Sequence, residues 1–291
     1  MSKIVSGKPT VILIGADKGG VGKTTVTRTL LDYLAARGIA HRAFDTETPK
    51  GTLKRFHPDI TDVVDVTQAR DQMKIFDTIN ASKVTAIDVR AGLLSEMLTT
   101  LSDIGFLDGV RNGEFNLALF HILGPSIASL DEIAQMSDYL TGAHHFLVKN
   151  VIGGTTFFEW DPATYDKYFN RMNGAAEIVV PQLNPIACET VELAGARFAD
   201  FVANKAPDGT EANYSFVLRG HVRHWLNGVW AEYDRVGIAD LARPAEAPSK
   251  EGSDKQPTSA SGMQKPPIGK SRTAPKATPQ DSKRPRGKGS K

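Results

Sequence analysis

One octapeptide near the start of the chain has the residue types needed to hold a polyphosphate: Lys18-Gly19-Gly20-Val21-Gly22-Lys23-Thr24-Thr25. Glycines let the backbone curl so that its N–H groups point inward at anionic oxygens. A helix that starts directly afterwards adds its N-terminal partial positive charge to the same point. Lys23 would neutralise β/γ-phosphate charge, and the Thr24 hydroxyl would complete the shell of a Mg²⁺ ion. Without a ligand, Lys18 and Lys23 would crowd positive charge together with no counterion. The general phosphate-loop pattern asks for glycine five positions before Gly22, and Asp17 stands there instead.

The elements that must position this loop are visible around it. Val11 to Gly15 is an apolar, β-branched run, and Val26, Leu30, Leu31 and Leu34 recur at helical spacing until Gly38. That order is strand, loop, helix. Further strands are expected at Ala40–Asp45, Lys83–Asp88, Phe115–Leu123, Phe146–Ile152 and Ala176–Val180. Helices are expected at Thr67–Asn80, Leu93–Leu101, Ser126–Tyr139, Pro162–Phe169, Ala187–Ala203 and Arg219–Val236. The alternation predicts an α/β fold for residues 1–242: a doubly wound, mostly parallel sheet with helices on both faces, ligands binding at the carboxyl ends of the strands.

The loop residues resemble the deviant Walker A motif of the ParA/MinD family of P-loop ATPases. The resemblance runs from residue 8 to about residue 205, and the last helix and the tail fall outside it. It implies binding of ATP and Mg²⁺, with Lys18 as the signature lysine that reaches the partner's phosphates across a nucleotide-sandwich homodimer. Other positions agree in order. Asp45 matches the first acid of the family's Asp-x-Asp-Pro-Gln segment. Glu47 then replaces the second acid, which positions the attacking water, and Thr48 is inserted, so the resemblance leaves the hydrolysis rate open. Asp88-Val89-Arg90-Ala91-Gly92 looks like the segment joining the Walker B acid to the second switch, making Asp88 a Mg²⁺ ligand, through a water. Arg90 stands where the family commonly has proline, and is either a phosphate or dimer contact or an ordinary surface charge. Asn150, after Lys149, resembles the strand end that contacts adenine, and Pro181-Gln182-Leu183 falls where the second base-side loop lies. An asparagine at a strand end is also common turn chemistry.

Composition narrows the alternatives. Cys188 is the one cysteine, the longest apolar runs are far shorter than a membrane span, and no signal-peptide pattern opens the chain, so the expectation is a cytoplasmic protein. The net charge of +2 hides an asymmetry, because residues 243–291 carry 12 Lys/Arg against 4 Asp/Glu. That Pro/Ser/Lys-rich tail has no aromatic residue and is expected to be disordered. It is read either as a solubilising linker or as an electrostatic hold on nucleic acid or an acidic partner. His144-His145 lack metal-ligand spacing and read as structural. Val222, Trp225, Leu226, Val229, Trp230 and Tyr233 form a helical stripe that reads first as core packing.

Three functions fit these residues. The leading one is an ATP-dimerising ATPase that positions or partitions a cargo such as plasmid or chromosomal DNA. It would hold nonspecific DNA through the tail or a dimer face, and a partner protein would stimulate its hydrolysis. The second is a metabolic P-loop enzyme that activates a carboxylate, against which Lys18 argues. The third is a weakly hydrolysing nucleotide-sensing adaptor, to which Glu47 and Thr48 lend weight.

Overall fold

A computed structural model describes residues 7–16, 18–124, 126, 131, 135–152, 155–159, 161–168 and 175–242. Asp17, the tail 243–291 and half of the helix expected at Ser126–Tyr139 (127–130 and 132–134) lie outside the described residues.

Seven strands form one sheet: β1 (Thr10–Gly15), β2 (His41–Asp45), β3 (Thr61–Val63), β4 (Val84–Asp88), β5 (Asn116–Ile122), β6 (His144–Asn150) and β7 (Ala176–Val180). Their spatial order is β3-β2-β4-β1-β5-β6-β7, and every pairing is parallel. The doubly wound α/β fold expected from the alternation is the fold observed. Side chains of β1 alternate between two cores: Ile12 and Ile14 enter one, Val11 and Leu13 the other. A strand covered on both faces has no polar side to show, which is why β1 reads as a continuous apolar run.

The first core is closed by α1 (Lys23–Ala36), α6 (Pro185–Ala194), α7 (Phe198–Val202) and α8 (Phe216–Arg235). The second is closed by α2 (Ala69–Phe76), α3 (Leu94–Asp103) and α4 (Phe106–Arg111). The short α5 (Pro162–Tyr168) follows β6. The α1 helix stops because Gly38, at φ 65°, adopts the left-handed conformation. The N–H groups of Gly38 and Ile39 then return to the carbonyls of Ala35 and Leu34, the Schellman arrangement. No helix among the described residues is long and apolar enough to cross a membrane.

Two expectations are corrected, and two elements were not expected. The strand expected at Phe146–Ile152 is β6 (His144–Asn150): His144 and His145 pair with Ala118 and Leu119 of β5, and the ladder ends at Asn150. The helix expected at Ala187–Ala203 is two helices. Asn184 caps the first by accepting from the Ala187 N–H at 3.1 Å, Pro185 supplies a preset first turn, and left-handed Gly195 ends it. The short strand β3 and helix α4 carry too few residues to show a period, and the sequence pattern missed both. The aromatic stripe on α8 does pack inward: Val222, Trp225, Leu226, Val229 and Tyr233 are buried. His145 is likewise buried and stacks on His121, with ring centroids 5.8 Å apart.

Candidate functional site

Sheet register sets the geometry of the site. Ile14, Asp45 and Asp88 lie on one rung across β1, β4 and β2, so the loops leaving these strands open together at the carboxyl edge. They surround a cleft of ≈320 Å³ lined by Gly19, Gly20, Gly22, Lys23, Thr24 and Thr25 from the first loop, Asp45 and Glu47 from the second, and Asp88 to Ala91 from the third.

The first loop turns on two glycines with positive φ, Gly20 at 76° and Gly22 at 90°. Gly22 is constrained twice: it is the left-handed residue that starts α1, and a Cβ there would stand 2.0 Å from the Asn150 amide nitrogen. Lys23 is buried beneath the loop and its Nζ donates to the Lys18 carbonyl at 3.1 Å. That bond curls the loop around its own lysine. Lys18 lies exposed at the rim.

Asp88 is buried at the base of the cleft. Loss of water raises its carboxyl to about 7, while hydrogen bonds from the Thr24 and Thr27 hydroxyls and the charge of Lys23 oppose the rise and that of Asp45 adds to it. A buried carboxylate beside a threonine hydroxyl, at the start of a helix, is a donor set that suits a hard cation such as Mg²⁺. Thr24 and Asp88 would hold that ion, which would neutralise charge on the phosphate oxygens.

Asp45 lines the cleft, but its carboxylate is engaged with backbone. One oxygen accepts from the Glu47 N–H at 2.9 Å, and the other accepts from Leu53 at 2.7 Å and Lys54 at 3.4 Å. Those bonds hold the Glu47 loop against the end of β2. The Glu47 carboxylate accepts from the Thr52 hydroxyl, and the inserted Thr48 ties the loop to the residue just past β3 by donating to the Val64 carbonyl at 2.9 Å. Further along, the loop is pinned to helices. Arg28 of α1 lies between the rings of Phe56 and Phe198, at 3.4 and 4.2 Å. Arg28 and Arg55 converge on the two carboxylate oxygens of Glu192 at 3.2 and 3.1 Å. Burial lowers Arg28 to about 10. Beside it Asp32 is raised to about 7 by burial, although it accepts from the Ala199 N–H at 3.0 Å, and His57 is lowered to about 3 by burial.

A second cleft of ≈290 Å³ is lined by Asn150, Val151, Ile152, Pro181, Gln182, Leu183, Pro185, Cys188, Glu189 and Trp225. Thr25 lines both clefts and joins them. Asn150 is buried, and its amide donates to the Val21 carbonyl at 2.9 Å, tethering the first loop to the end of β6. Pro181 is held in place by its carbonyl, which accepts from the Trp225 indole N–H at 2.6 Å.

The structure therefore brings Gly19, Gly20, Gly22, Lys23, Thr24, Thr25, Asp45, Glu47 and Asp88 to one cleft, leaves Lys18 exposed at its rim and Val21 buried behind it, and places Asn150 and Pro181 in the adjoining cleft. Thr27, Thr46, Thr52, Arg28 and Trp225 were missed as site residues. Only Thr27 carried a signal, one helical turn beyond Lys23. Thr52 acts within its own loop, on Glu47 five residues away, and Thr46, Arg28 and Trp225 act through long-range contacts.

No family model matches the chain, and no curated protein matches it by sequence. Solved structures do match, at low identity. The septum site-determining protein MinD of Pyrococcus horikoshii, solved with Mg-ADP, is 17% identical, over 81% of this chain and 99% of that one, with a TM-score of 0.49. The MinD cell division protein of Aquifex aeolicus is 12% identical, over 75% of this chain and 97% of that one, with a TM-score of 0.44. A nucleotide-binding protein of Archaeoglobus fulgidus, in complex with ADP, is 15% identical over 63% and 85% at a TM-score of 0.42. The residues of the two clefts, rather than these likenesses, carry the functional reading.

Proposed function

We propose that the chain is a Mg²⁺-dependent ATPase of the ParA/MinD type that closes into a homodimer on binding ATP and so positions or partitions a cargo. One observation carries the reading: Lys23, Thr24 and Asp88, separated by up to 65 residues of sequence, converge beneath a loop whose exposed rim carries Lys18. Lys23 and the loop amides bind the phosphates, and Thr24 and Asp88 hold Mg²⁺. Asn150 and Pro181 flank the base. Lys18, outside the cleft of its own chain, is free to reach a second copy's nucleotide. Glu47 orients the water, and the basic tail or a dimer face holds nonspecific DNA. Partner-stimulated hydrolysis then releases the dimer.

The test is hydrolysis and sedimentation of the purified full chain with Mg²⁺-ATP, with and without DNA, beside Lys18→Ala. Slow hydrolysis that needs Mg²⁺, with an ATP-induced dimer lost in Lys18→Ala, is the expected result. The same dimer in the variant removes the sandwich arrangement. A second reading, a nucleotide-sensing adaptor, is favoured by one contact: the Glu47 carboxylate is occupied by Thr52. Tight ATP binding with no turnover would support it.

A further inference from the structure

Two loops enter the phosphate cleft from neighbouring strands, one carrying Glu47 and the other Arg90. A single buried hydroxyl joins them. Thr46 is 3% exposed; its Oγ1 donates to the Asp88 carbonyl at 3.2 Å and accepts from the Arg90 N–H at 2.7 Å. Its own N–H also donates to the Asp88 carbonyl, at 3.1 Å.

The need for that hydroxyl follows from where the sheet ends. Val89 still donates to β1, through the Ile14 carbonyl at 2.9 Å. Arg90 is the first residue past the ladder, and its N–H turns to the side chain of Thr46, just past the end of the neighbouring strand β2. A hydroxyl can donate and accept at once, so one atom serves both strands. Valine has nearly the same shape but would leave the Arg90 N–H without this acceptor, a costly arrangement in a partly buried place.

We infer that Thr46 is a positioning residue for phosphate chemistry, coupling the orientation of Glu47 to that of Arg90 so that the two loops meet the terminal phosphate as one unit. The inference rests on the proposed ATPase reading for its catalytic consequence. The connection between the loops is tested independently of hydrolysis. The coupling is local, because Glu47 is the next residue after Thr46, and the Thr46 hydroxyl holds the backbone of Arg90 itself. In that reading ground-state nucleotide binding relies chiefly on Lys23, the loop amides and the base-side cleft, while Thr46 reaches the Mg²⁺ residue Asp88 through its backbone carbonyl and not its carboxylate.

The experiment uses the full chain and the variants Thr46→Val and Thr46→Ser, with Thr46→Ala in reserve should valine prevent folding. Calorimetry gives nucleotide affinity, steady-state assays give kcat and KM, and amide hydrogen exchange without nucleotide follows a peptide covering residues 86–93. Removing the hydroxyl is expected to lower kcat about tenfold, the size of one hydrogen bond, while affinity and KM change less than about threefold. Serine should restore kcat to within about twofold, and exchange in 86–93 should quicken only where the hydroxyl is gone. Unchanged exchange in the folded valine or alanine variant overturns the connection. Faster exchange with kcat unchanged overturns its catalytic role. A wild-type chain that binds ATP without hydrolysing it sinks the ATPase reading and the catalytic role together, while the exchange result still decides the connection.

Discussion

The two joined clefts, proposed above as the phosphate side and the base side of a nucleotide site, are built by different means. Around the proposed phosphate cleft, charged and hydroxyl side chains follow strand ends closely along the chain: Asp45 and Glu47 at β2, Asp88 at β4, and Lys23 and Thr24 at the start of the helix that the first loop joins to β1. The base-side cleft draws instead on β6, β7, α6 and α8, and its walls include Ile152, Pro181, Leu183 and Trp225. Its shape depends on packing between segments far apart in sequence. The phosphate side therefore specifies a charge pattern, and the base side specifies a volume. Asn150 belongs to the base side by position and to the phosphate side by its bond to Val21.

The harshest test of this division is Lys23→Ala. Removing the buried cation of the loop should weaken Mg²⁺-ATP binding by about 100-fold or more, measured by calorimetry. Binding equal to that of the wild type would take the phosphates out of this cleft.

Asn150→Ala probes the residue that straddles the boundary. Loss of the tether should weaken ATP and inorganic tripolyphosphate alike, each by about tenfold, because one buried hydrogen bond to the loop is gone. A loss confined to ATP would make Asn150 a reader of the base.

Trp225→Phe addresses the base side alone. Losing the indole bond to Pro181 should lower the thermal midpoint by about 2–4 °C and weaken ATP a few-fold, with tripolyphosphate unaffected. Equal weakening of both ligands would mean that the two sides are not separable.

The smallest effect concerns the cluster behind the Glu47 loop. Asp32 is raised from 3.8 to about 7, so the folded chain keeps a proton that the unfolded chain has released. Its contribution to stability is full below about pH 4 and is lost as pH rises through about 7. Asp32→Asn should flatten the fall in thermal midpoint across that window, and an unchanged slope would place the titration elsewhere. His57 acts in the opposite sense: it is held neutral with a value near 3, and its contribution is present above about pH 6.5 and lost on acidification. The two contributions are separated by repeating the scan in Asp32→Asn and His57→Gln.

What the sequence revealed follows the same division. The octapeptide, Asp45 and Asp88 were legible because apolar strands announce where they end and the chemistry follows within a few residues. Six of the seven strands were legible for the same reason, since each holds a short apolar run; it is β-branched in β1, β4 and β7 and built mainly on Ala, Leu and Phe in β2, β5 and β6. The walls of the base cleft were not, beyond Asn150 and Pro181, because Trp225 reaches Pro181 across 44 residues of chain. Nor did composition show that Asp45 would spend its carboxylate on the amides of Leu53 and Lys54. Only the folded path of the loop brings those N–H groups to it. The break at Gly195 was hidden for another reason: apolar residues continue on both sides of it, so the pattern runs through a turn that the backbone does not.

Glu192 carries a consequence for how such a sequence can drift. One carboxylate answers Arg28 and Arg55, which come from separate segments, and Arg28 is additionally boxed between two aromatic rings. Reversing the sign at position 192 could not be repaired by one compensating exchange. A glutamate at position 28 would lose its stacking on the rings, and one at position 55 would still leave Arg28 facing a like charge. The three positions therefore form a locked set in mutational terms. Changing Glu192 first leaves Arg28 buried without its carboxylate partner, with Asp32 as its remaining acidic neighbour.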